Sequence, residues 1–106
     1  EADGVLAESR RQLELRWRAL VEAFDRHLPE WRIEKPDGGF YLWLELPEHA
    51  LADPLGFCIR LRDEAGVVLI PGLAFGEAGR RHVRLSFATD PDHVAEGVRR
   101  LAPHWV

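Results

Sequence analysis

Methionine is absent from the 106 residues, and lysine, cysteine and tyrosine occur once each, as Lys35, Cys58 and Tyr41. A lone cysteine closes no internal disulfide, which points to a reducing compartment or to a fold that needs no crosslink. A lone lysine restricts any chemistry that requires an amine. No apolar run approaches the roughly 20 residues of a membrane helix, and no charged-then-apolar leader opens the chain. The expected setting is the cytoplasm. There is no excess of positive charge either. Fourteen basic residues against eighteen acidic ones give a net charge of −4, which removes any general attraction to nucleic acid or anionic lipid. The start at Glu1 without methionine, running directly into a helical pattern, reads as a piece of a longer protein.

What is present is an ordinary globular composition, 46% hydrophobic and 30% charged, enough for one domain with one core. Residues 4–28 repeat apolar side chains at spacings of three and four: Leu13, Trp17, Leu20, Val21, Phe24 and Leu28. They predict one long amphipathic helix stopped by Pro29. A short strand is expected over 31–34, then a turn over 35–39. The clearest strand is 40–46, with Phe40, Leu42, Leu44 and Leu46 on one face and Tyr41, Trp43 and Glu45 on the other. Apolar residues on both faces predict a central place in the sheet. Asp53-Pro54 and Asp90-Pro91 each read as an N-cap followed by proline at the first helical position. The first begins a helix with Leu55, Cys58, Ile59 and Arg62 on one face and a stop at Gly66. The second begins a final helix whose Val94, Val98, Leu101 and Trp105 share a face. Between them lie expected strands at 67–70 and 82–87, joined by a glycine-rich loop over 72–81. Helices interspersed with strands predict an α+β, two-layer sandwich: a small, mostly antiparallel sheet covered by helices.

Few residues carry a chemical signature. The five histidines share no ligand spacing, and no second cysteine joins them, so no metal site is expected. The loop PGLAFGEAG lacks the lysine of a phosphate-binding loop and the spacing of a dinucleotide fingerprint; it reads as a mobile connection using glycine for positive φ. Arg84 is different. It stands in mid-strand among Val83, Leu85 and Phe87, where a guanidinium must snorkel, pair with an acid such as Glu45 or Glu34, or await an anion.

The ordered segments PDGGFYLWLELP, EAGVVLIPGLAFGEAG, HVRLSFATD and EGVRRLAP, preceded by ESRRQLELRWRALVEAF, resemble the C-terminal small domain of class I/II pyridoxal-phosphate-dependent aminotransferases of fold type I. The resemblance covers nearly the whole chain, 1–106, with 1–28 as the helix after the large domain and 31–106 as the sheet and its helices. It implies that Arg84 binds the substrate's α-carboxylate; Ser86 shares the strand face of Arg84. It implies that Gly38 and Gly39 allow a tight turn and close approach near the substrate entrance, and that Phe75 anchors the loop at the active-site mouth. It also implies what is missing. The Schiff-base lysine, the aspartate for the pyridine nitrogen and the phosphate-binding loop belong to the absent large domain. Lys35 matches none of these contexts, so no catalytic or cofactor-binding residue is expected here. The implied parent is a homodimer using pyridoxal phosphate to move an amino group between an amino acid and a 2-oxo acid. The motifs are equally compatible with the effector-sensing domain of a winged-helix transcription regulator, and a ligand-free α+β interaction module remains a third reading.

Overall fold

The computed structural model describes residues 2–36, 39–87 and 89–106. Helix α1 runs Ala2–His27 and ends as Leu28 N–H donates back to the Phe24 carbonyl before Pro29. Strand β1 is Tyr41–Glu45, helix α2 Pro54–Ala65, strand β2 Leu69–Pro71, strand β3 His82–Ser86 and helix α3 Pro91–Trp105. The three strands pair antiparallel in the order β1-β3-β2.

The central strand is therefore β3, not the 40–46 segment. β1 lies at an edge, although Leu46 N–H to Arg81 O and Phe87 N–H to Phe40 O carry its pairing one residue beyond each end. Its two apolar faces have different causes. Leu42 and Leu44 enter the core, while Tyr41 and Trp43 remain about half exposed on the other face, Tyr41 against the Arg84 guanidinium and Trp43 against Phe75. Residues 31–34 form no strand. Side chains pin this segment instead of a ladder: Trp31 packs edge-on to Trp105, and Ile33 leans on the core.

All the helices' apolar stripes meet one face of the sheet. Leu20, Phe24 and Leu28 from the α1 region, Phe57, Cys58 and Leu61 from α2, and Val94, Val98, Leu101 and Trp105 from α3 join Leu42, Leu44, Leu69, Val83 and Leu85 in one cluster. The Trp105 indole N–H donates to the Glu45 carbonyl at 3.2 Å, so this buried ring leaves no donor orphaned. On α2 the buried face is Phe57, Cys58, Leu61 and Ala65; of the residues expected to share a face with Cys58, Leu55 and Ile59 are exposed. Asp53 caps the helix by accepting from Gly56 N–H at 3.0 Å. Burial pushes the Cys58 thiol up to about 11, leaving it protonated and inert at neutral pH.

Helix α3 opens on Asp90, whose Oδ1 accepts from the backbone N–H of Asp92 and of His93. Further along, Arg99 and Arg100 both donate to Glu96 and hold its carboxyl down at about 2.

Two outcomes are expected. Trp105→Ala removes a fully buried aromatic ring and should cost roughly 3–5 kcal/mol in equilibrium urea unfolding. A carboxyl depressed in the folded state stabilises fully above its unfolded value, and that stability fades as pH falls toward the folded one. The Glu96 contribution should thus be present above the ordinary value of 4.5 and be lost as pH drops toward about 2. Thermal midpoints of Glu96→Gln, measured across that window, should fall less steeply than those of the parent chain.

Candidate functional site

With all helices on one face, the other face of the sheet is open, and the alternation of β1 and β3 decides what stands on it. Register places Trp43 and Ile70 on either side of Arg84, Tyr41 opposite Ser86 and Glu45 opposite His82. Tyr41 is thus the diagonal cross-strand neighbour of Arg84, within reach of a long side chain.

Arg84 meets rings rather than acids. Its guanidinium carbon lies 4.3 Å from the centroid of Tyr41 and 4.6 Å from that of Phe75. Both distances are inside the range of a cation–π contact. Among the described residues no carboxylate pairs with it, and neither Glu45 nor Glu34 does. The internal ion pair weighed from the sequence does not form among these residues. The guanidinium lines a cleft of about 400 Å³, together with Tyr41, Ile70, Ser86, Thr89 and His93. That volume lies in the usual range for small-molecule sites. His93 is already engaged with Asp90, whose carboxyl is lowered chiefly by that hydrogen bond.

Phe75 reaches Arg84 because the glycine-rich segment is built, not loose. It folds as two short 3-10 turns, Gly72–Phe75 and Glu77–Gly79, closed by Gly76 N–H to Leu73 O and Gly79 N–H to Gly76 O. Its glycines serve two purposes. Gly76 takes a positive φ of 127°. Gly72 and Gly79 instead permit contact: a Cβ on Gly72 would lie 2.1 Å from the Gly79 carbonyl oxygen and 2.8 Å from the edge of Trp43. The two backbones touch, and the indole lies against them. Trp43 also stacks on His82, with centroids 5.3 Å apart and planes 8° from parallel, and meets Phe75 edge-on at 6.1 Å. Among the described residues, buried His82 Nδ1 finds no hydrogen-bond partner.

The other expected site residues fare differently. Among the described residues, a Cβ added at Gly39 would meet Tyr41 Cδ2 at 3.8 Å, an ordinary van der Waals contact, so no close approach among them requires glycine there. Gly38 lies outside the described residues. Ser86 lines the cleft on the exposed side of β3. Tyr41, Trp43 and the Gly72–Gly79 contact were not singled out from the sequence. Alternation put Tyr41 and Trp43 on one face, but only the register with β3 sets them around Arg84. Lys35 sits beside a second concavity, bordered by Arg32, Glu34, Glu45 and His82, and pairs with Glu14 of α1. It does not stand free to bind a carbonyl group.

A family profile described as aminotransferase class I and II matches residues 2–101. The chain belongs to the class I and II aminotransferases. The 2-aminoadipate transaminase of Thermus thermophilus is 41% identical over 87 residues, covering 78% of this chain and 21% of that enzyme. Transaminase BacF of Bacillus subtilis is 39% identical over 71 residues, 67% of this chain and 18% of that protein. Among solved structures, LysN, an α-aminoadipate aminotransferase of Thermus thermophilus in complex with N-(5'-phosphopyridoxyl)-L-leucine, superimposes with a TM-score of 0.74. It is 36% identical, over 91% of this chain and 25% of that one. The chain thus spans about a fifth to a quarter of the length of these aminotransferases.

The floor of the site makes a testable contrast. Gly72→Ala must separate two touching backbones or displace Trp43, and should cost about 1–3 kcal/mol or more in equilibrium unfolding. Gly39→Ala, whose Cβ meets Tyr41 only at ordinary van der Waals distance among the described residues, should stay within about 0.5 kcal/mol of the parent.

Proposed function

We propose that this chain is the small, substrate-gripping domain, spanning 1–106, of a pyridoxal-phosphate-dependent aminotransferase. The parent moves an amino group between an amino acid and a 2-oxo acid. Arg84 is the residue that recognises the substrate's α-carboxylate. The observation carrying this reading is the guanidinium itself, flanked by two rings, paired with no acid among the described residues, and lining an open cleft. A planar guanidinium receives a planar carboxylate through two parallel charge-assisted hydrogen bonds. That fork sets the orientation of the substrate as well as its affinity, so that the bond to be broken at Cα is aimed at the reacting groups.

In this reading the chain does not supply the cofactor site: its single lysine pairs with Glu14 on the surface and is not among the described residues lining the Arg84 cleft. Pyridoxal phosphate brings the electron sink of amino-group transfer, and the residues that hold it belong to the remainder of the parent. In this reading the chain contributes carboxylate capture and the closing of one domain over the site, and it is inactive by itself. Gly39 lets the substrate approach the start of β1 without a side chain in the way. The parent is a cytoplasmic homodimer. No helix among the described residues is long and apolar enough to cross a membrane, which agrees with that setting.

The test is kinetic, in the full-length protein. Amino-group transfer to 2-oxoglutarate is first screened over the standard amino acids to find the preferred donor. Arg84→Ala should then weaken that donor by roughly 2–5 kcal/mol, a rise in KM of at least about 30-fold. Arg84→Lys, which keeps the charge without the fork, should recover only part of the loss. An unchanged KM in Arg84→Ala would remove the role assigned to this residue.

A further inference from the structure

We propose that Tyr41 and Phe75 are positioning residues that hold the Arg84 guanidinium ready for a carboxylate; this rests on the reading of Arg84 given above. The two rings arrive from opposite sides. Tyr41 stands on β1 and Phe75 on the turn that follows β2, the strands that flank β3 on either hand. The guanidinium carbon lies 4.3 Å from one ring centroid and 4.6 Å from the other. Five N–H donors of a guanidinium lie in its plane, and its faces are weakly hydrated. Rings can therefore cover it without satisfying a single donor. An acid at either position would do the reverse and consume the donors that a substrate needs.

Stability does not account for this pair of rings. Tyr41 is 49% exposed and Phe75 53% exposed, so neither belongs to the core. What they limit is the freedom of Arg84. A long side chain that is ordered before the ligand arrives loses less conformational entropy on binding. Behind Phe75, Trp43 packs edge-on and rests on the Gly72–Gly79 contact, so that wall is braced by backbone. Tyr41 acts through its ring, not through its hydroxyl.

The experiment uses the full-length protein and the same amino donor. Tyr41→Leu and Phe75→Leu, on separate elements and half exposed, should each raise KM for the donor by roughly 3- to 30-fold with kcat nearly unchanged. Tyr41→Phe should restore the parent value, because it keeps the ring. In an Arg84→Ala background, Tyr41→Leu should produce no further rise. The inference is overturned if Arg84→Ala raises KM while both leucine variants leave it unchanged, an outcome in which Arg84 keeps its assigned role. It is also overturned if Tyr41→Leu acts equally in the Arg84→Ala background, since the ring would then touch substrate directly. If Arg84→Ala itself leaves KM unchanged, the carboxylate reading fails and the positioning role falls with it. Thermal midpoints of the full-length variants that match the parent's separate these effects from misfolding.

Discussion

An arginine can stand in the middle of a sheet only where its face of the sheet remains open. The arrangement depends on that constraint. The described helices cover one face of the three strands, and the apolar alternation of β1 and β3 sends Leu42, Leu44, Val83 and Leu85 into that layer. The period of two then forces Tyr41, Trp43, His82 and Arg84 to the opposite side. A charged side chain there keeps partial access to water and avoids the large cost of burying an unpaired cation. The rings around it are the compromise between exposure and order: they lie within cation–π distance of the guanidinium and bring it no carboxylate.

That same one-sidedness explains the aromatic residues left in solvent. Tyr41, Trp43 and Phe75 would be poor choices for the surface of an isolated chain, yet they form a connected set. Phe75 meets both Trp43 and Arg84, and Trp43 stacks on His82. The glycines of the 72–79 segment belong to this set as well. They let one backbone lie on another and make a flat support for the indole. The segment's one ionisable side chain, Glu77, pairs with Arg80, and the segment's shape is what delivers Phe75.

Reading the sequence succeeded where a signal is local and failed where it depends on pairing. The caps at Asp53 and Asp90 and the apolar stripes of α1 and α3 are contained within a few turns of chain, and they were legible as such. The stripe of α2 was misassigned because Leu55 and Ile59 are apolar at helical spacing yet face outward, and periodicity alone does not say which of two apolar faces is inside. The strand at 40–46 was expected in the centre for a related reason: residues apolar on both faces suit a doubly covered strand as well as an edge strand with aromatics on an open face. The expected strand at 31–34 contains the right residue types, but Trp31 and Ile33 find their partners by side-chain packing.

The chain alone determined the residue types, their spacing and the motif order that marks this as an aminotransferase segment, because those are written along the backbone one residue after another. It also singled out Arg84, since an arginine amid strand-forming apolar residues is anomalous at any register. Whether that arginine would meet Glu45 or a pair of rings was decided only by the pairing of β1 with β3 and by the two turns that bring Phe75 across. These contacts join residues far apart in sequence, and a shift of one residue in the register would have turned Tyr41 and Trp43 into the core instead.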